Sequence, residues 1–398
     1  MQILFISRWF PYPANNGSKL RIFNLLRGLS NYHDITLVSF ADQPDINPNE
    51  PELLKLCRNV HIVPLKQFNP HSFRAHLGYL SMKPRSVFDT FSGEMKNCII
   101  ETLKTNHFDL VIASEVDTAV YSKHFKHLPA LLEDIEIGTL YENYAHATSR
   151  PVRYRHGLTW LKHRRYLTSQ LKNFDVCTVV SDQERKLFSQ YVNSKQAIEI
   201  VPNCINLETY ENVPRNPKPN TMIFTGSFTY LPNYKGMIWF IEKVLPLIQA
   251  ETPDAQLIIT GDHANLPLPA AKNVTLTGFV DDIRTYIGSA WISLVPIWSG
   301  GGTRLKILEA MALHTPVVAT EKGAEGLNLK DGEHILIANK PAAFAGAVTR
   351  LLQDKTHRNT IADNAFHLVS ETYDWTATIA HFLTIVKRLT NEKHNITS

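Results

Sequence analysis

The chain has 398 residues, with 41 Lys and Arg against 37 Asp and Glu, 44% hydrophobic residues and 20% charged ones. That length suits two or three domains and holds apolar material for two sizeable cores. The net charge of +4 is too small to imply a nucleic-acid partner. No apolar run approaches the roughly 18 residues a membrane span needs. The four cysteines, Cys57, Cys98, Cys177 and Cys204, are widely spaced and form no CxxC pair. They read as reduced thiols of a cytoplasmic protein, with no metal site and no disulfide framework.

The chain opens on MQILFIS, which lacks a basic leader region and meets Arg8 almost at once. It reads as a first strand, not a signal peptide. A loop broken by Pro11, Pro13 and Gly17 follows, and then Leu20, Phe23, Leu26 and Leu29 recur at helical spacing. Further strands are expected at Ile35 to Phe40, Val60 to Pro64, Leu110 to Ala113, Ala130 to Leu132, Val176 to Val180 and Ile198 to Val201. Ser181 is placed to cap the helix opening DQERKLF. Strands alternating with helices imply a parallel sheet covered on both faces. The stretch NVPRNPKPN has three prolines and no apolar periodicity, as a linker and hinge would. The alternation then restarts. MIFTG, QLIITG, VTLTGFV, WISLVPI and PVVAT read as strands, Gly236 to Ala250 and TRLKILEAMAL as helices. YDWTATIAHFLTIVKRL is a last amphipathic helix.

Two segments of the back half carry chemistry. In WSGGGTRLKILEAMAL a buried strand ends, Gly300, Gly301 and Gly302 follow, and a helix is expected from about Thr303. Glycines admit a ligand close to backbone N–H groups, and a helix N-terminus adds partial positive charge, so the pair suits a phosphate or pyrophosphate. Lys306 and Glu309 share one helix face, an ammonium for a diphosphate and a carboxylate for ribose hydroxyls. A glycine hinge with a local Lys–Glu pair has the same spacing. In MIFTGSFTYLPNYKGMIWF a strand again ends in a loop, at Gly226 and Ser227, with Lys235 just ahead of the expected helix. A solvated Lys235 is the plainer alternative. Both loops leave the carboxyl ends of strands, where open parallel sheets bind ligands.

FTGSFTYLPNYKG, IITGD, VTLTGFVDDIRTYIGSA, LVPIWSGGGTRLKILEAMA and TPVVATEKGAEGL, in this order, resemble the C-terminal half of family 4 (group 1) glycosyltransferases. NNGSKLRIFNLLRGLS, VVSDQERKLF and VPNCIN extend the resemblance to the front half. It implies an α/β chain of GT-B fold: two Rossmann-like doubly wound domains facing across a cleft, with a C-terminal helix crossing back to the first. The corresponding division is 1–205 for an acceptor-side domain, 206–220 for a linker, 221–374 for a nucleotide-sugar-binding domain and 375–398 for the returning helix. The implied activity moves a sugar from a nucleotide-sugar to a glycan or lipid-linked acceptor, with retention and without a metal or other cofactor. By position, Lys235 and Lys306 correspond to donor-phosphate residues and Glu309 to the second glutamate of the family's E-x7-E motif. The first glutamate of that motif falls at Gly301 and is absent. Ser227 stands where the family often has Arg. Arg304 and Glu325 are candidates to supply the missing charges. With Gly226, Gly302 and Thr303 they complete the donor set. In the front half, Gly17 corresponds to a glycine near the donor diphosphate and acceptor. Asp134 or Glu133, in EDIE, corresponds to a polar position facing the transferred sugar; two carboxylates capping a helix is the other reading.

Residues 143 to 174 contain no Asp or Glu but seven Lys or Arg, with Trp160, Leu161 and Tyr166 interleaved. This pattern fits peripheral contact with an anionic membrane, at the inner face of the cell membrane, or a phosphate-bearing lipid acceptor. A solvated basic helix gives the same pattern, and no recognition motif accompanies it for nucleic acid. Two rivals remain. A non-catalytic partner protein of the same fold is suggested by Gly301. A nicotinamide-dependent oxidoreductase requires a G-x-G-x-x-G turn after a strand, and the first strand is followed by a long Pro-containing loop instead.

Overall fold

The computed structural model describes residues 1–192, 195–300 and 304–397, with the side chains of the last helix through Asn391. The chain divides into two compact units, Met1–Pro202 with Ile379–Ser398, and Asn203–Thr378.

The first unit is built on a seven-stranded sheet of order β3-β2-β1-β4-β5-β6-β7. Its strands are β1 (Gln2–Ser7), β2 (Asp34–Ala41), β3 (Asn59–Pro64), β4 (Leu110–Ser114), β5 (Ala130–Glu133), β6 (Val176–Val179) and β7 (Ala197–Ile200). All six pairings are parallel. The central strands read as unbroken apolar runs because both faces are covered: Ile3, Leu4, Phe5 and Ile6 are fully buried, as are Leu110 through Ala113. Helix α1 (Gly17–Ser30) starts at Asn16, whose side chain accepts from the Lys19 N–H at 3.0 Å. The Ser181 hydroxyl accepts from the Glu184 N–H at 3.1 Å, the cap read in the sequence. Periodicity did not reveal two short helices, α2 (Phe73–Leu77) and α3 (Arg85–Thr90). Neither is long enough to show a repeat. Helix α4 (Arg150–Leu171) is the basic segment.

The second unit has a six-stranded parallel sheet of order β10-β9-β8-β11-β12-β13. It is made of β8 (Thr221–Thr225), β9 (Gln256–Thr260), β10 (Val274–Gly278), β11 (Ile292–Val295), β12 (Val317–Ala319) and the two-residue β13 (Leu336–Ile337). Both sheets therefore have the doubly wound order, reversing direction beside their first strand. Helix α5 (Leu231–Trp239) begins five residues before the expected start at Gly236. Pro232 in its first turn fixes that start. Gly236 is an interior helical residue, glycine because a Cβ would run into the Pro296 carbonyl oxygen. Helix α6 (Leu305–Ala312) is described from Leu305; its expected start at Thr303 lies outside the described residues. Helix α7 (Trp375–Thr397) leaves the second unit, and from Ile379 onward its residues belong to the first. There Ile379 fills the space over Gly28 of α1, and Arg388 pairs with Glu199 at 2.5 Å. Among the described residues no helix is long and apolar enough to cross a membrane.

Candidate functional site

In the second unit the strand order reverses between β8 and β11, the place where such sheets hold ligands beyond their carboxyl ends. β8 ends at Thr225, and Gly226 follows with φ +139°. Lys306, from the first turn of α6, reaches back to this turn. Its Nζ lies 2.9 Å from where a Cβ on Gly226 would stand. The ammonium donates to Asn233 Oδ1 at 3.1 Å, and Asn233 Nδ2 donates to the Ser227 carbonyl at 2.8 Å. The same ammonium sits 4.4 Å from the centroid of Phe224, a favourable cation–π placement. Asn233 thus ties together the two loops that the sequence marks separately. A second glycine completes the turn: Gly261, after β9, has φ +113°, and a Cβ there would stand 2.7 Å from the Gly226 carbonyl carbon. Side chains are kept out of this corner so that backbone and ammonium face it.

Burial, with Arg304 nearby, brings Lys306 down to about 7, while Glu309 opposes the shift. An anion at Nζ would reverse that shift. One turn along α6, Glu309 accepts from the Tyr210 hydroxyl at 3.3 Å. Burial pushes the Glu309 carboxyl above its usual range, against Tyr210 and Lys306, which lower it. Tyr210 sits on a four-residue helix, Glu208–Glu211, inside the stretch read as linker. No periodicity or motif singles it out, because its partner is 99 positions away.

The other expected donor residues lie as follows. Lys235 is exposed in the second turn of α5, not ahead of the helix. The Ser227 hydroxyl bonds the Thr229 hydroxyl at 2.7 Å and donates to the Asp262 carbonyl at 3.2 Å. Arg304 is buried, and its guanidinium donates to the Gly300 carbonyl at 2.7 Å. Glu325 pairs with Lys322. Gly301, Gly302 and Thr303 lie outside the described residues.

The first unit has its own charged corner at the equivalent reversal, beside β1 and β4. Arg8 follows β1 and pairs with Asp117 and, at 3.7 Å, with Glu115. Glu115 and Asp134 follow β4 and β5 with φ +67° and +59°, a conformation that costs non-glycine residues about 1–3 kcal/mol and collects at functional sites. Burial, and then Asp134, carry the Glu115 carboxyl up to about 8. Glu133 is different. It is fully buried, accepts from Arg21 Nε at 2.5 Å and from the Ser114 hydroxyl at 2.8 Å, and holds the sheet to α1. Of the three EDIE carboxylates, Asp134 directly follows the strand with its side chain 11% exposed, and Glu136, two residues further on, is exposed. Gly17 is the first residue of α1.

Residues 219–354 match the family model described as glycosyl transferases, group 1. The chain is 22% identical over 391 residues to an uncharacterized 44.6 kDa protein in the cps region of Klebsiella pneumoniae, covering 94% of this chain and 96% of that one. It is 30% identical over 219 residues to a phosphatidyl-myo-inositol mannosyltransferase of Mycobacterium leprae, over 52% of this chain and 57% of the relative. The structure superposes on Anabaena HepE, solved in complex with UDP and glucose, with TM-score 0.62 at 15% identity, over 98% of this chain and 100% of that one. The whole chain therefore has the GT-B fold, two Rossmann-like units, and residues 219–354 of the second unit resemble group 1 glycosyl transferases.

Proposed function

We propose that this protein is a glycosyltransferase whose second unit binds a nucleotide-sugar donor, and that it passes the sugar to a glycan or lipid-linked acceptor with retention of anomeric configuration. The observation that carries this reading is the Lys306 ammonium, held by Asn233 against the Gly226 turn at the strand-order reversal. The bond to be broken joins an anomeric carbon to a diphosphate oxygen, and negative charge grows on that oxygen. Fixed cations and dipoles at that point are the largest available lever on the rate. In this reading Lys306 meets the leaving diphosphate and Lys235 approaches from α5. Glu309, steadied by Tyr210, accepts from ribose hydroxyls. The acceptor hydroxyl forms the new bond to carbon, and its proton leaves with the diphosphate. Protein cations do this work in place of a metal, so turnover is expected to survive EDTA.

HepE was solved with UDP and glucose, which supports a uridine nucleotide as the first donor to try. The mycobacterial relative's name specifies a phosphatidylinositol acceptor, which supports a lipid-linked one here. On the first unit, Glu115, Asp134 and Arg8 are the groups proposed to hold acceptor hydroxyls. The basic helix α4 is proposed to bring that unit to the inner face of the cell membrane. The test is a panel of nucleotide-sugars, following nucleoside diphosphate release by wild type and by Glu309→Ala. One donor slowly hydrolysed by wild type and not by the variant supports the proposal and names the sugar. Nucleotide binding with no turnover in the presence of a range of acceptors would favour a non-catalytic protein.

A further inference from the structure

A second segment without any acidic residue packs against the basic helix. Residues 53–88 contain no Asp or Glu, like residues 143–174. The two come together where Lys162 of α4 donates to the carbonyls of Gly78 and Tyr79 at 3.0 and 2.8 Å. Between them lies a groove of about 290 Å³, lined among others by Arg85, Arg155, His156, Lys162 and His163, and by no carboxylate. Arg85 is fixed there: its guanidinium lies 3.9 Å from the Tyr79 ring centroid and donates to the Tyr79 hydroxyl at 2.8 Å. Lys162 is held below its usual range by burial and by the charge of Arg85. Two cations thus share one groove, bonded to carbonyls and a hydroxyl, with no carboxylate paired to either among the described residues. An anion entering it relieves their repulsion.

The rim is apolar. Ten of the eighteen large apolar side chains exposed among the described residues fall in these two segments. Leu80 is 88% exposed, Phe73 and Tyr154 79% each, and Met82 69%. Leu80, Met82 and Tyr154 stand one or two residues from groove-lining Tyr79, Pro84 and Arg155, an apolar exposure that charge alone does not explain. Aromatic and aliphatic groups that enter the headgroup layer beside Lys and Arg are what an anionic bilayer selects.

We infer that α2, the residues after it through Arg85 and α4 as far as His163 form one docking face for an anionic lipid bilayer, with the groove at Arg85, Arg155 and Lys162 receiving a lipid phosphate and Phe73, Leu80, Met82 and Tyr154 entering the acyl boundary. This rests on the proposal that α4 meets the membrane and adds the half of the face contributed by residues 68–86.

The experiment is sedimentation of the full chain with phosphatidylcholine vesicles, with and without phosphatidylglycerol. Four proteins are compared: wild type, Phe73→Ser/Leu80→Ser/Met82→Ser, Arg155→Glu, and Arg165→Glu/Lys172→Glu. Every substituted side chain is exposed and none belongs to the donor site, so donor hydrolysis in solution and thermal melting should stay at the wild-type level. Wild type is expected to sediment only with phosphatidylglycerol. The apolar triple variant and Arg155→Glu should each bind roughly tenfold more weakly or worse. Raised salt should weaken binding without abolishing it, because the apolar contacts are not screened. Binding retained by the triple variant and lost by Arg165→Glu/Lys172→Glu would overturn the composite face and leave the basic helix alone as the contact. Absence of wild-type binding to phosphatidylglycerol would overturn both, while donor turnover would still stand by itself. Displacement by soluble glycerol phosphate, or equal binding to pure phosphatidylcholine, would overturn the bilayer phosphate as the ligand.

Discussion

Replacing Gly226 by Ala tests the donor corner most directly. At φ +139° an L residue is strained by about 1–3 kcal/mol. The new Cβ would also stand 2.7 Å from Asn233 Nδ2 and 2.9 Å from Lys306 Nζ, well inside ordinary contact at roughly 3.5–4.0 Å. Asn233 is buried and bonded at both ends of its amide, so the lysine is the group that gives way. Its withdrawal breaks the bond to Asn233, a further loss of about 1 kcal/mol. Together these cost about 2–4 kcal/mol, which at 2–4 °C per kcal/mol for a domain of this size lowers Tm by roughly 4–16 °C. A displaced ammonium no longer makes its charge-assisted contact with a diphosphate, worth about 1.5–3 kcal/mol, or roughly 10- to 150-fold in affinity. Differential scanning fluorimetry and titration calorimetry with UDP read the two effects separately. Lys306→Met is the control: it should lose affinity without the backbone strain. An alanine variant with wild-type melting and wild-type affinity would refute the described corner. A lower Tm with unchanged affinity would leave Gly226 a purely structural role.

Donor binding should depend on pH through Lys306. Its pKa of about 7 in the free protein lies below the unfolded value, and a bound diphosphate raises it. Binding therefore takes up a proton above neutrality, and affinity falls as pH rises past 7, by at most about tenfold per pH unit; calorimetry in buffers of different ionisation heat measures the uptake, and Lys306→Met should show none. The same depressed pKa means the unfolded chain binds the extra proton between about 7 and 10.5. Lys306 thus contributes increasingly favourably to stability as pH rises through that window, and urea midpoints of wild type and Lys306→Met should change relative to each other accordingly. Glu133→Ala leaves Arg21 buried without its main partner and should cost about 3–5 kcal/mol, read by urea denaturation; a loss under about 1 kcal/mol would contradict the buried pair. Gly28→Val should destabilise by about 1–3 kcal/mol through overpacking against Ile379, and an unchanged melt would argue against α7 lying on α1.

The strands and their parallel pairing were legible because each central strand is a short apolar run bounded by a breaker and alternates with helices. Helix starts were less legible. Gly236 looks like a breaker in one dimension, yet it is glycine because α5 crosses the Pro296 carbonyl, a contact sixty residues distant in the chain. The corner at Gly226 and Lys306 was legible as types of residue, namely glycine after a strand and lysine on a following helix. The partners that fix it, Asn233 and Tyr210, were not. Each is selected by a side chain 73 or 99 positions away, and nothing local to NYKG or ETYEN records that.

The pair Glu133 and Asp134 shows how sharp that limit is. In EDIE the adjacent carboxylates of Glu133 and Asp134 are equivalent to any rule of composition or spacing. β5 ends at Glu133, the last residue paired with β4, and its side chain turns inward onto Arg21, where a lone carboxylate would be too costly to bury. The next residue has left the ladder with a left-handed backbone; Asp134 is 11% exposed, 3.8 Å from Arg21 Nε, and its charge raises the Glu115 carboxyl. One residue of register thus separates a carboxylate that holds the first unit together from one available to a hydroxyl. If that assignment is right, Glu133→Gln should change stability far more than turnover, and Asp134→Asn should change the KM for acceptor while leaving the melt nearly in place. The opposite pattern, with Asp134→Asn unfolding the protein and Glu133→Gln altering acceptor KM, would exchange the two roles and remove the first unit's rim from the proposed acceptor site.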